Sequence, residues 1–209
     1  MVVSTELIAI AISAIFFGSQ ISKLNLRFSA LIGCLLVVVG YFLCSLTDSI
    51  EYLRLIRGVS GIGSGLLIAS GHNVLSASNN HESSYAALIL VASLCGASFV
   101  WIAGIAAEEG GYSLMFMIFG FITLLLAPLL FFAKKQTLLI EELDVNNSVS
   151  VTSPIVILMT LGLLFFSIPS GGMWTFNERL GVEIGLLQSV IGKILSFSLL
   201  TGLLAPILV

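Results

Sequence analysis

The sequence predicts an all-α integral membrane protein with about seven transmembrane helices. Hydrophobic residues make up 58% of the 209 positions and charged residues only 9%, whereas a soluble domain carries roughly 25% charged residues. A membrane helix needs about 20 mainly apolar residues, and runs of about this length recur along the whole chain between polar breaks. The composition therefore excludes a soluble domain, and the net charge of −3 gives no indication of nucleic-acid binding.

The apolar runs fall into two groups separated by one long connection. The runs cover residues 4–22, 28–47, 54–77, 85–106, 113–133, 154–176 and 184–208. The first has no basic leader and no small-residue cleavage site, so we interpret it as a spanning helix and not as a signal peptide. Residues 134–153 are acidic and rich in Asn, Ser and Thr, which predicts a hydrophilic linker. We expect an amino-terminal bundle over residues 1–133 and a cytoplasmic linker over 134–153. Residues 154–209 are expected to form the first part of a carboxyl-terminal bundle.

Basic residues predict the orientation, because Lys and Arg favour the cytoplasmic side of a membrane. The first and fifth connections carry Lys23, Arg27, Lys134 and Lys135, whereas the even-numbered connections are mainly acidic. The amino terminus is then expected outside and the carboxyl terminus in the cytoplasm. We expect a multi-pass protein of the bacterial inner (plasma) membrane.

The third run contains an arginine followed by a cluster of glycines. Arg57 stays charged at physiological pH, and a charge at membrane depth is costly, so it is a candidate functional residue. The glycines predict a surface for helix packing, since in lipid they let a neighbouring helix approach closely. They are Gly58, Gly61, Gly63 and Gly65.

One face of this third helix gathers polar side chains, since at about 100° per residue Ser64 and His72 lie near Arg57. We expect this face to point at a protein interior or a wet cavity, because a lipid-facing arginine or histidine is expensive. Two interpretations stay open. The face lines a pathway that binds an anion or moves protons, or Arg57 makes a structural hydrogen bond to a carbonyl of a neighbouring helix. His72 has the alternative of a satisfied structural histidine.

The seventh run carries a second cation. Lys193 lies on one stripe with Ser189 and Ser196, about ten residues or roughly 15 Å past the expected helix start at Ile184. That depth predicts a side chain that cannot easily snorkel to the interface. A substrate contact and a proton-coupling amine are the functional interpretations, and a salt bridge to a carboxylate such as Glu178 is the structural one.

The sixth run is interrupted at residues 168–172, which read Ile-Pro-Ser-Gly-Gly. Broken helices of this kind often line transporter sites, because they free backbone groups for a ligand. Trp174 and Glu178 follow on one face, although Trp174 also fits an interfacial aromatic belt. No catalytic constellation, metal-ligand cluster or cofactor motif is present in the sequence, so neither an enzyme nor a cofactor is expected.

Three segments resemble signatures of the major facilitator superfamily of secondary transporters. Residues 57–65, read R-G-V-S-G-I-G-S-G, are similar to its fourth-helix signature. Residues 18–27, from Gly18 through Lys23 to Arg27, look like a degenerate form of its loop signature between helices two and three. Residues 174–181 look like the end of helix seven in some members. Ser22 and Asn25 depart from the loop pattern, and the helix around Cys95 has no antiporter Gly-Pro pair.

The resemblance implies a chain equivalent to helices two to eight of twelve, with residues 134–153 joining the two halves. The first helix and half of the second bundle would then be missing, and the chain would be a fragment. The resemblance also implies alternating access for a small solute, with Lys23 and Arg27 in a cytoplasmic gate. The cations Arg57 and Lys193 are expected to face each other across the cavity. They favour an anionic solute, and proton coupling is a further expectation.

Two other functions stay open from the sequence. A seven-helix photoreceptor or pump would bind retinal as a Schiff base on Lys193, but it needs an intramembrane carboxylate counter-ion. The acidic candidates lie near the predicted helix ends; they are Glu6, Asp48, Glu51, Glu108 and Glu109. The remaining alternative is a remnant that inserts into the membrane and transports nothing.

Overall fold

The computed structural model describes residues 2–20, 25–76, 78, 80–132, 158 and 176–201, and the regular structure in these ranges is helical. The helices are α1 Val2–Gln20, α2 Leu26–Ser45, α3 Ile50–Ser76, α4 His81–Leu126, α5 Leu129–Phe132, α6 over residues 176–183 and α7 Gln188–Thr201. The predicted all-α class is confirmed for these ranges. The linker 134–153 and almost all of the sixth run lie outside the described residues.

Within the described ranges, three helices are long and apolar enough to cross a membrane. They are Leu26–Ser45, Ile50–Ser76 and Ser83–Leu126, and Ser4–Gly18 is a shorter apolar helix. The chain is therefore an integral, multi-pass membrane protein.

Helix α4 is two helices joined at a sharp bend. At about 1.5 Å per residue its 46 residues would reach about 69 Å if they were straight, more than twice the hydrocarbon thickness of about 30 Å. Gly110 and Gly111 have non-helical dihedrals, and Gly111 has φ 66° and ψ −164°. We call residues 81–109 α4a and residues 112–126 α4b. The bend falls inside the predicted fourth connection, which confirms that break.

The bend folds α4b back along α4a and against α2. Phe99 of α4a meets Phe119 of α4b edge to face, with ring centroids 5.3 Å apart. Phe119 in turn contacts Tyr41 of α2 at 5.9 Å. The Ser113 hydroxyl donates a hydrogen bond of 2.6 Å to the carbonyl of Ser45 at the end of α2. These contacts place α2, α4a and α4b in one helical group.

The packing has the polarity expected of a protein in lipid. Large apolar side chains face outward, such as Ile15, which is 76% exposed, and Leu55, which is 67% exposed. Small or polar side chains lie between the helices, including Ser13, Ser60 and Ser70. Lipid supplies no hydrophobic drive for helix association, so close packing of small residues takes that role.

Glycines set the helix crossings around α3. A Cβ atom on Gly61 would lie 2.7 Å from the carbonyl oxygen of Glu6 on α1. A Cβ on Gly63 would lie 2.8 Å from the Cβ of Leu36, on the opposite side, where α2 packs. Contacts advance together along α1 and α3, from Thr5–Gly58 to Ser13–Gly65, so these two helices run in parallel.

Helix α7 begins four residues later than the sequence predicts. The preceding α6 ends in a Schellman motif, in which the N–H of Leu186 donates to the carbonyl of Gly181 and the N–H of Gly185 to that of Val182. Gly185 takes the left-handed conformation that this motif requires, with φ 77°. The predicted start at Ile184 is therefore wrong, and Lys193 lies in the second turn of α7, about 7.5 Å along its axis.

Candidate functional site

An ion pair links α1 and α3. The Nη2 atom of Arg57 donates to the Oε2 atom of Glu6. The two side chains are 15% and 12% exposed respectively, so the charges lie largely inside the protein. The partner of Arg57 is a carboxylate and not the backbone carbonyl that the structural interpretation of this residue predicted.

Two neighbouring aromatic rings lie beside the guanidinium. The Cζ atom of Arg57 lies 5.4 Å from the ring centroid of Tyr41 on α2 and 5.4 Å from that of Phe116 on α4b. The rings are 6.3 Å apart and tilted by 32°. Cation–π contacts of this kind help to hold a desolvated charge. Four helical segments, α1, α2, α3 and α4b, therefore converge on Arg57, and we call Glu6, Tyr41, Arg57 and Phe116 the arginine cluster.

The arginine cluster leaves hydrogen-bonding capacity unused. Within the described ranges, the buried Nη1 atom of Arg57 has no hydrogen-bond partner, nor has the Oγ atom of Ser60 one turn along α3. A buried polar group without a partner costs about 1–3 kcal/mol, and more when it is charged. The guanidinium therefore has an N–H group that can donate to an anionic oxygen.

The other polar residues predicted on this face make local contacts. The Ser64 hydroxyl donates to the carbonyl of Ser60 in its own helix at 3.2 Å. His72 is exposed and stacks on Tyr85 of α4a, with centroids 5.9 Å apart. The described structure thus places neither of them in the arginine cluster.

Lys193 belongs to a second cluster, between α4a and α7. The Oε2 atom of Glu108 on α4a accepts a hydrogen bond of 3.0 Å from the backbone N–H of Ser189. Lys193 is exposed and lies one turn after Ser189, on the same side of α7. The side chains around Arg57 come from α1, α2 and α4b, so the two cations lie in separate clusters with one carboxylate each.

The comparison with known proteins decides the family. A model of the Major Facilitator Superfamily matches residues 1–209. The chain belongs to the major facilitator superfamily. No match was found among curated proteins or among solved structures. The members of this superfamily are transporters and not enzymes, so this chain is a membrane protein of the transporter class.

Several predicted site residues of this superfamily member either lie outside the described ranges or are exposed or only partly buried. Lys23 and Trp174 lie outside them. Glu178 is exposed on α6, and Arg27 is partly buried on α2. A Cβ on Gly18 would meet nothing within 4 Å. Their roles as pathway or gate residues stay predictions.

Sequence reasoning missed Glu6 and Glu108 as partners. Each is an acidic residue close to an end of an apolar run, which also describes ordinary helix ends. The signal for Glu6 was its position in the second turn of α1, which packs against the helix that carries an arginine among glycines. Pairing Glu6 with Arg57 requires knowing that α1 and α3 run in parallel and that the two residues lie at the same height along them.

Proposed function

We propose that the chain is a secondary transporter that moves a small solute by alternating access, with seven spans in two bundles joined by residues 134–153. Its superfamily membership supports transport. The observation that carries the proposal further is the ion pair between Glu6 of the apolar helix α1 and Arg57 of α3, a helix long and apolar enough to cross a membrane.

An ion pair in this position is poor evidence for stability. Taking both charges out of water costs several kcal/mol each, and replacing such pairs with apolar side chains of similar volume is often neutral or stabilising. Intramembrane ionisable residues are rare and mark solute or proton pathways. We therefore assign the Glu6–Arg57 pair to transport.

The pair offers two charge states with different partners for Arg57. With Glu6 ionised, Arg57 donates to Glu6, as in this structure. With Glu6 protonated, the attraction between the two side chains falls and Arg57 is free to bind a different anion. A proton on Glu6 and an anion on Arg57 then arrive together, which is a charge-balanced form of proton coupling.

The solute class follows from the same geometry. Arg57 has an unpartnered Nη1 donor and two aromatic rings beside its guanidinium, and a guanidinium binds carboxylate or phosphate oxygens in a planar fork. We propose a small organic anion, with Arg57 as its main contact. Further proposed pathway residues are Ser64, His72, Trp174, Glu178 and Lys193. Trp174 lies outside the described ranges, and the described contacts of the other four do not reach the arginine cluster.

Reconstituted vesicles test this function. The purified chain is placed in vesicles loaded with a pH-sensitive dye, and lactate, succinate, a neutral sugar or a quaternary ammonium ion is added outside. We expect one of the anions to drive a proton flux, and the sugar and the ammonium ion to drive none. Arg57→Ala should abolish the flux, whereas Arg179→Ala, which removes an exposed cation from α6, should retain it.

The variants separate coupling from folding. Glu6→Gln fixes the neutral form of the side chain, so anion movement should persist while the accompanying proton flux is lost. Equal flux in the wild type and in Arg57→Ala would remove Arg57 from the mechanism. A folded, monodisperse wild-type chain that moves no anion would favour the alternative of a non-transporting protein.

A further inference from the structure

The contact between α4a and α7 has an unusual arrangement of small residues and one charge. A Cβ on Gly104 would lie 3.0 Å from the Cα of Gly192 and 2.7 Å from the carbonyl of Gln188. The two backbones therefore touch at this crossing. Gly96, two turns before Gly104, has more room, because its Cβ would lie 3.8 Å from Leu199 Cδ1. The helices run antiparallel, with the Glu108 end against the first turn of α7.

The first turn of α7 depends on another helix for its cap. Leu187 stands at the N-cap position, since its carbonyl accepts the first helical hydrogen bonds from Val190 and Ile191. A leucine side chain cannot accept a hydrogen bond from the free N–H groups of a helix start. Glu108 does so from α4a, through the N–H of Ser189. Its negative charge also lies at the positive end of the α7 dipole.

We infer that Glu108 is a gate residue that closes one end of the α4a–α7 contact, and that release of Glu108 from Ser189 opens this end during transport. The inference rests on the proposed alternating access. Gly104 and Gly192 have no side chains, so nothing at their crossing blocks one helix from tilting on the other. Glu108 lies one turn from this crossing and makes the charge-assisted hydrogen bond across the contact.

The gate acts on Lys193 through α7. Lys193 follows Gly192 directly and lies one turn after Ser189, so it projects from the same side of α7 as the residue that Glu108 contacts. When Glu108 leaves the first turn of α7, Lys193 loses its neighbouring negative charge. The open gate therefore presents a less neutralised cation, which favours capture of the anionic solute on that side. Glu108 is a positioning residue in this arrangement, since it acts through α7 and not on the solute.

Thiol labelling reports the gate without any knowledge of the solute. Cys34, Cys44 and Cys95 are first replaced by alanine. Ser196→Cys then supplies a conservative reporter on α7, because Ser196 is only 6% exposed and lies on the face that carries Ser189 and Gly192. Its labelling by a membrane-impermeant maleimide is followed in right-side-out and inside-out vesicles that contain the full chain.

We expect Glu108→Ala to raise the labelling rate about tenfold from one side, since loss of one charge-assisted hydrogen bond shifts an equilibrium by about that factor. Glu108→Gln keeps an acceptor oxygen without the charge and should fall between Glu108→Ala and wild type. Glu109→Ala is the matched control, because Glu109 is the adjacent exposed carboxylate; it should label like wild type.

A second readout separates gating from loss of structure. A disulfide between Gly96→Cys and Leu199→Cys reports the far end of the contact and should form equally in all three variants. Loss of this disulfide in Glu108→Ala would mean that Glu108 merely holds the helices together, and it would overturn the inference. Unchanged labelling in Glu108→Ala would also overturn it. A failed solute-flux assay would count against the proposed function alone, because labelling requires no solute.

Discussion

Gly65 of α3 and Ser13 of α1 are so close that a single methyl group does not fit between them. A Cβ on Gly65 would overlap the Ser13 hydroxyl and would lie 2.6 Å from the carbonyl oxygen of Ile10 and 2.9 Å from the nitrogen of Ala14. The serine side chain can rotate away, but the two backbone atoms cannot. The Ser13 hydroxyl also donates to the carbonyl of Gly61 on α3 at 3.5 Å, so this crossing holds α1 in register with α3.

Gly65→Ala should therefore separate α1 from α3. Overpacking costs about 1–3 kcal/mol, which exceeds the gain of up to about 1 kcal/mol from the higher helix propensity of alanine. We expect a lower melting temperature in detergent and a weaker Glu6–Arg57 pair. Gly71→Ala on the same helix is the control, since nothing lies within 4 Å of its Cβ position; it should be neutral or stabilising. Equal melting temperatures for the two variants would contradict the crossing.

The sequence predicts much of this helical arrangement but not its pairings. Apolar length alone located α1, α2 and α3 to within about four residues, and the short polar break predicted at residues 108–112 contains the bend in α4. The start of α7 was misplaced because Ile184, Leu186 and Leu187 extend the apolar run through the turn at Gly185. Hydropathy does not distinguish an apolar turn from an apolar helix.

The site was predictable in part for a related reason. Arg57 was found because a charge in an apolar run is rare, and that signal is local. Its carboxylate partner lies 51 residues away, and its aromatic neighbours Tyr41 and Phe116 look like ordinary apolar residues in their own helices. A pairing over that distance is fixed by helix direction and register, which one sequence does not contain.

The energetic link between Glu6 and Arg57 can be measured by a double-mutant cycle. Removing one partner of a buried pair costs about 3–5 kcal/mol, and the partial exposure of this pair places the expected loss near the lower value. Glu6→Leu should lower thermal stability because it leaves the charge of Arg57 uncompensated. Arg57→Met should lower it because it leaves Glu6 without its partner and removes the cation beside Tyr41 and Phe116. The double variant should be more stable than the sum of the single losses predicts. Strict additivity would argue against a direct pair.

The bend in α4 depends on the backbone of Gly111. Its φ of 66° and ψ of −164° lie in a region that is essentially restricted to glycine, and strain of this kind costs about 1–3 kcal/mol for other residues. Gly111→Ala should reduce thermal stability and loosen the Phe99–Phe119 contact, which would appear as faster proteolysis near the bend. Gly18→Ala, in a helix with free space around it, should leave both measurements unchanged.

The last prediction concerns the crossing of α4a and α7. Gly104→Ala would place a methyl group 2.7 Å from the carbonyl of Gln188, on backbone that cannot rotate away. We expect α7 to be pushed off α4a at a cost of about 1–3 kcal/mol, and a disulfide between Glu108→Cys and Ser189→Cys to form more slowly as a result. Gly96→Ala on the same helix meets only Leu199 at an ordinary contact distance of 3.8 Å, so cross-linking should proceed as in the parent chain. If Gly104→Ala cross-links as fast as Gly96→Ala, the backbone contact between Gly104 and Gly192 does not position α7.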